Sequence, residues 1–560
     1  MTFGFLIKFV GSIMDLFIPM LLSFIIDDIV PTKNQPMIFL YGGLMLLCSV
    51  IAILSNIGAN RMAAGVARDT TEKIRNDLFT RISYLSARQL DAFTVPSLES
   101  RLTSDTYNIH QFVGMIQRMG VRAPILLIGG IVITFAMEPV LTLVLVAILP
   151  FIGFFVYAIS KKGIPLYKKQ QESTDGMTRI VRENAQGIRI IKALNKESAE
   201  KARFDEANLE LNRSEQHAAM TMALTNPLMN LCLNFGLVAV IFVGAIRVNA
   251  GLSQTGKIIA FMSYFTIILN AMMSVTRMFV MASKGIASAN RIGEVLDTPF
   301  DMAADKAYEP ADTPENPPKI EFDDVCFSYN GIKNDIDHVS FKLYPGQTLG
   351  IIGPTGAGKS TLISLMMRQY DVEGGSVKLD GRDVRGMERE TISKKYGAAF
   401  QNDFLFADTI RANIDFGRGM TDDEIRTAAE HAQASSFIEE KGLDHELTIK
   451  GSNLSGGQKQ RVILSRALAG VPEILVLDDS SSALDYATDA RLRRSIRENY
   501  QGKTTCVIVA QRVSSIRHAD LILVLEDGRI TGSGTHEELM KSCPLYKEIA
   551  DSQMGGALLE

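Results

Sequence analysis

Nine consecutive residues, Gly353, Pro354, Thr355, Gly356, Ala357, Gly358, Lys359, Ser360 and Thr361, have the composition of a phosphate-binding loop. The glycines let backbone N–H groups turn toward one set of anionic oxygens, and a helix opening after the loop adds the positive end of its dipole. In such a Walker A loop Lys359 neutralises charge on the β- and γ-phosphates, and Ser360 offers a hydroxyl to Mg²⁺. The expected cofactors are therefore ATP and Mg²⁺.

The loop needs a strand before it and a helix after it. Thr348–Ile352 is an apolar run with the length of a buried strand, as are Ile474–Leu477 and Thr504–Val509. From Ile320 onward strands and helices alternate, so residues 320–560 read as an α/β domain. Residues 298–319 contain five prolines and no apolar period, and read as a linker.

Residues 1–297 have a different composition. A membrane span takes roughly 20 apolar residues. Met37–Ala59, Ala123–Met137, Val140–Ser160, Ala218–Ile246 and Ile258–Thr276 qualify, and Phe9–Ile26 makes a sixth. The last of these is too long for a cleaved leader and has no small-residue cleavage site after it, so it is expected to stay as a span. It carries Asp15, which must face other helices or water. Six helices are expected at about 4–30, 37–85, 106–137, 140–195, 206–247 and 255–296. Segments 61–122 and 161–213 hold nine and twelve Lys and Arg residues, which places them, and the α/β domain, in the cytoplasm. Both are rich in helix formers, and about 25 extra residues extend a span by roughly 38 Å. They read as struts between membrane and nucleotide domain.

The net charge of −4 disfavours nucleic acid as a partner. Five cysteines lie far apart with no metal-ligand spacing, so they read as small buried apolar residues.

Further motifs follow the phosphate loop in order. Leu454-Ser455-Gly456-Gly457-Gln458 resembles the signature of ABC transporters, Ile474–Asp478 their Walker B strand, and Ser482 to Asp485 their D-loop. Gln401 resembles their Q-loop glutamine, and Tyr329 their adenine-stacking aromatic. With six spans upstream, the resemblance covers nearly the whole chain and is to ABC exporters. It implies an all-α six-helix transmembrane domain fused to an α/β P-loop nucleotide-binding domain, set in a bilayer, working as a dimer. It implies that Asp478, Ser360 and Gln401 hold Mg²⁺. It also implies that Ser455, Gly456, Gly457 and Gln458 meet the γ-phosphate bound to the opposite domain. Arg88–Leu98 and Lys196–Phe204 would be the coupling helices at the two cytoplasmic turns.

Two positions depart from the family. Asp479 stands where Glu activates the attacking water, and Gln511 where His contacts the γ-phosphate. Asp places its carboxylate roughly 1 Å short, and misplacement on that scale costs about 100-fold in rate. Ile449 also replaces a family Glu ahead of the signature. The combination resembles the degenerate-site subunit of heterodimeric bacterial multidrug exporters, whose partner carries Glu and His. The resemblance thus implies a bacterial cytoplasmic membrane, a non-identical second half-transporter and a small amphipathic cargo that is drug-like, lipid or peptide. An ATP-binding regulatory subunit and a slow homodimeric exporter are the alternatives. Asn226, Asn230, Asn234, Asn270, Met273 and Arg277 are the candidates for the substrate path, because lipid disfavours Asn and Arg and because Met adapts to varied apolar shapes.

Overall fold

The computed structural model describes residues 2–308, 315–401, 403–480 and 483–557; the side chains of 156, 160, 225, 226, 276, 280 and 554–557 lie outside that description. Contacts divide the chain into two units. One is Met1–Ile82 with Pro96–Asp297, and the other is Ser83–Val95 with Thr298–Glu560.

Among the described residues six helical stretches are long and apolar enough to cross a membrane: Thr2–Thr32, Gln35–Ser83, Val95–Met137, Pro139–Ala193, Glu197–Asn249 and Thr255–Leu296. The fourth, 55 residues long, extends about 80 Å at helical rise, well beyond a hydrocarbon layer of about 30 Å. Glu138 is extended between the third and fourth helices, and Pro139 opens the fourth, where its missing N–H costs nothing. The buried Glu138 carboxylate pairs with Arg247 at 2.9 Å. The fifth stretch breaks at Leu224, between helices Glu197–Ala223 and Thr225–Asn249. Pro227 accounts for the break, since its ring would clash with the carbonyl of Ala223 in a continuous helix. Lys196–Phe204 is not a separate short helix. Nothing from Glu197 to Ala223 interrupts helical propensity, so those residues form the first turns of a 27-residue helix.

Leu16, Leu126, Leu145, Ile152, Met229, Tyr264, Phe265 and Ile268 form the core between the spans. Small residues set the spacing. A Cβ at Gly130 would lie 2.8 Å from Ile268, and one at Gly236 would collide with the Phe265 ring. Gly236→Ala is expected to destabilise the chain by about 1–3 kcal/mol through overpacking. A lowered melting temperature in detergent is the readout, and an unchanged one contradicts it. Nearer the end of the sixth helix, buried Asp105 accepts from Ser288 Oγ at 2.8 Å and from Arg291 Nε at 2.8 Å.

The second unit contains ten strands among the described residues. They are β1 (Ile320–Phe327), β2 (Ile336–Leu343), β3 (Thr348–Ile352), β4 (Gly374–Leu379), β5 (Arg382–Asp383), β6 (Tyr396–Ala399), β7 (Ile474–Asp478), β8 (Thr505–Val509), β9 (Leu521–Glu526) and β10 (Arg529–Gly534). An antiparallel sheet runs β2-β1-β4-β5, and a second runs β10-β9-β3-β8-β7-β6. The middle of the second is parallel, with Ile351 opposite Val509 and Asp478 also opposite Val509. Strands β3, β7 and β8 are covered on both faces, which is why they read as unbroken apolar runs. The carboxyl ends of β3 and β7 thus lie on either side of β8.

Candidate nucleotide site

Gly353–Gly358 leaves β3, and helix Lys359–Met366 follows. Three glycines are needed for different reasons. Gly353 has no room for a Cβ beside the Leu525 carbonyl. Gly358, at φ +95°, would bring a Cβ within 2.8 Å of the Asp335 carbonyl oxygen. Gly356 has φ +84° and open space where its Cβ would point, which leaves that face of the loop clear for a ligand. Lys359 Nζ donates to the carbonyl oxygens of Gly353 and Pro354 at 2.8 and 2.7 Å. Burial lowers the Lys359 pKa, opposed by Asp478 and Asp479.

Ser360 Oγ donates to Asp478 Oδ2 at 2.9 Å. Asp478 ends β7 and is 5% exposed; burial raises its pKa, Ser360 opposes the rise and Asp479 adds to it. A hydroxyl and a carboxylate oxygen at this separation are hard donors suited to Mg²⁺.

Asp479 has a left-handed backbone, φ +47°, and its N–H donates to Val509 O at 3.0 Å. Its Oδ2 accepts from Gln511 Nε2 at 2.8 Å and from Gln401 Nε2 at 3.5 Å. Burial raises the Asp479 pKa, with Gln511 and Lys359 opposing. Lys359, Ser360, Gln401, Asp478, Asp479 and Gln511 are thus brought together by the ends of β3, β6, β7 and β8.

The signature residues stand apart from this group: among the described residues no hydrogen bond joins Ser455–Gln458 to the phosphate loop. Ser455 caps helix Gly456–Leu468 in a reciprocal capping box, with Gln458 N donating to its Oγ at 3.3 Å and Ser455 N to Gln458 Oε1 at 3.1 Å. Arg461 stacks on Phe437 at 4.8 Å and steadies the first turn through the Gly457 carbonyl. Asp485 caps helix Tyr486–Tyr500, accepting from Thr488 N at 2.9 Å. Ser482 lies outside the described residues.

Tyr329 is half-exposed, and its hydroxyl lies 3.4 Å from Thr361 Oγ1. Its ring meets Phe327 and Tyr370 edge-on, with centroids 4.9 and 5.1 Å away. Tyr370 was not legible as a site residue, having no motif around it. Its hydroxyl donates to Asp91 Oδ2 at 2.6 Å. Asp91 lies on helix Ala87–Phe93, the first expected coupling helix. Ser86 caps this helix and also donates to Asp301, while Gln89 donates to the Pro299 carbonyl oxygen. Burial, then Asp91, raises the Tyr370 pKa and keeps its hydroxyl a donor.

The expected substrate-path residues do not converge within one chain. Asn230 and Asn234 are exposed, while Met229, Gly236 and Val240 turn inward on the adjoining face of the same helix. Asn270 and Arg277 are exposed and Met273 is half-buried; the Asn226 side chain lies outside the description.

A glycine-rich loop between strand and helix, a hydrogen-bonded Ser–Asp pair beside it and six apolar helices in one polypeptide define a membrane-bound P-loop ATPase. A family model for the ABC transporter transmembrane region matches residues 1–272, and a second, described as ABC transporter, matches residues 336–482. An uncharacterised ABC transporter ATP-binding protein of Mycobacterium bovis is 35% identical, over 98% of this chain and 95% of its own. YfiB of Bacillus subtilis, also an uncharacterised ABC transporter ATP-binding protein, is 33% identical over 96% and 93%. A solved bacterial Atm1-family ABC exporter with ATP bound is 25% identical and superposes with a TM-score of 0.84, covering 99% of this chain and 97% of that one. The chain belongs to the ABC transporter family and has the exporter fold, with membrane and ATPase parts fused. It is a multi-pass membrane protein whose ATPase domain is cytoplasmic.

Proposed function

We propose that this chain is the slow half of an asymmetric ABC exporter: it binds ATP at its own phosphate loop, hydrolyses it poorly, and supplies its signature to a competent site on a non-identical partner. The observation that carries this reading is the Asp479 carboxylate, one methylene short and tied to a neutral amide, Gln511, at 2.8 Å. ATP supplies the phosphoanhydride whose cleavage releases free energy. Ser360 and Asp478 would hold Mg²⁺, with Gln401 completing the set. Lys359 and the loop N–H groups would hold the phosphates, and Tyr329 would stack on adenine. Asp479 would be the water-activating base, displaced from the distance a Glu reaches, and Gln511 can donate to phosphate without bringing positive charge. Ser455 and the N–H groups of Gly456 and Gly457, presented by a capped helix start, are suited to a γ-phosphate on the opposite domain. Asp485 would act in the D-loop with Ser482. The test is ATP turnover by the chain alone and with candidate partners. Robust cooperative hydrolysis by the chain alone, abolished by Asp479→Asn, excludes the asymmetric reading.

The cargo we infer is amphipathic, and the membrane the bacterial cytoplasmic one. Asn226, Asn230 and Asn234 recur every fourth residue along one helix face, a costly stripe to turn toward lipid. Such a stripe fits a path shared with a partner bundle. Unchanged transport in Asn230→Ala with Met273→Ala would count against it.

Tyr370 and Asp91 would carry force from the nucleotide edge to helix Ala87–Phe93. A double-mutant cycle with Tyr370→Phe and Asp91→Ala is expected to return about 1 kcal/mol of coupling in stability. Cargo-stimulated turnover should fall in either single variant. Additive effects would show the contact to be inert.

A further inference from the structure

Three cations cluster where the first, third and sixth membrane helices meet. Lys8 is 2% exposed, yet a lysine so near a membrane surface ordinarily reaches for water. It instead donates to Asn56 Oδ1 at 2.8 Å and Asn60 Oδ1 at 3.1 Å. Arg122 pairs with Asp15 at 3.0 Å, while its buried Nε has no hydrogen-bond partner. Arg118 donates to the Gly114 carbonyl oxygen and has no carboxylate partner among the described residues. Among the described residues Asp15 is the one carboxylate paired within the cluster, which leaves two cations without a carboxylate. Arg118 is exposed and Lys8 is buried, and a hollow between such cations favours an anion.

The three cations open onto a single cavity of about 290 Å³, also lined by Asn60, Asn270 and Ser274. Leu126 and Ala271 form its apolar side. Lys8, Asn60, Arg118 and Arg122 lie at one end of their spans, and Asn270, Ala271 and Ser274 lie in the closing part of Ile258–Thr276. Asn60 directly follows the uncharged run ending at Ala59, and Arg122 directly precedes the run beginning at Ala123. Helix direction makes this the cytoplasmic end. The charges therefore sit at headgroup depth, with apolar surface continuing toward the membrane centre.

We propose that this cavity binds the anionic headgroup of an amphiphile, a phosphate monoester or carboxylate on an apolar tail, entering from the cytoplasmic leaflet. Arg118 and Arg122 supply the charge-assisted contacts, Lys8 sets the local potential, and Asn270 with Ser274 offers neutral donors. The proposal rests on the export reading and narrows its cargo to anions.

The test uses the full chain in zwitterionic nanodiscs and two probes of equal tail length, dodecyl phosphate and dodecyltrimethylammonium, each carrying the same fluorophore at the tail end and read by anisotropy. The phosphate probe should bind at least about 10-fold tighter. Arg118→Gln, which gives up only one bond to the backbone, should remove about 10-fold of its affinity, and Arg118→Lys should restore most of it. Competition by inorganic phosphate at concentrations matching the probe would mean that a free anion, not an amphiphile, is the ligand, and would overturn the proposal. Equal binding of the two probes would do so without any variant. In proteoliposomes of the two-chain complex, ATP-driven movement of both probes without charge preference would discard this site and leave export standing. ATP turnover with no movement of any probe would remove the export reading itself.

Discussion

Asp479→Glu combined with Gln511→His should raise ATP turnover at this chain's own site by about 100-fold, the rate associated with roughly 1 Å of misplacement of a reacting group. The measurement is made in a two-chain complex whose partner cannot bind ATP, so that only this site contributes. The gain has two origins. Glu restores the missing methylene and brings the base to the water. His replaces the Gln511 amide, which holds Asp479 Oδ2 at 2.8 Å, with a donor that can carry positive charge. The single substitutions should fall short of the pair, because both act on one carboxylate. No gain from the pair would mean that the slow step lies outside these residues, and the asymmetric reading would lose its main support.

Ser455→Asp should abolish turnover of the two-chain complex, by 100-fold or more as an order of magnitude, while ATP still binds at this chain's Gly353–Thr361 loop. Loss of one well-placed donor to a developing oxyanion costs about 10²–10³ in rate, and a carboxylate facing phosphate adds repulsion. The choice of Asp separates chemistry from folding. Ser455 caps helix Gly456–Leu468, and Asp caps as well as Ser, so the melting temperature should stay near that of the unsubstituted chain. Lys359→Ala, by contrast, should lower complex turnover only in part. Equal losses from Ser455→Asp and Lys359→Ala would point to two equivalent sites and a symmetric dimer.

What could be read from the sequence was local. The phosphate loop, the signature and the six spans are each contiguous, and their residue types carry their physics within a few turns. That Gln401, Asp479 and Gln511 share one nucleotide site was implied by the family resemblance, but the contacts of both amides with the Asp479 carboxylate appear only once β6, β7 and β8 are side by side. Tyr370 and Asp91 were not legible, because 279 positions separate them and neither sits in a motif. Lys8 carries no motif either. It sits just ahead of the apolar run Phe9–Ile26, and only the placement of Asn56 and Asn60 across from it shows that it is held inside. Lys196–Phe204 was expected as a separate helix by family likeness, whereas uninterrupted helical propensity carries it into Glu197–Ala223.

Residues 83–95 belong to the nucleotide unit although they lie more than 200 positions ahead of its main body. A fragment cut at the linker would therefore lack one of its own parts. Recombinant residues 320–560 would leave Tyr370 without its acceptor and the Phe327–Tyr329–Tyr370 ring cluster without its cover. Chimaeras that exchange the ATPase between relatives would inherit the same mismatch unless they also exchange this 13-residue tip, so crossover points for such grafts belong at Ile82, Pro96 and Thr298 rather than at the linker alone.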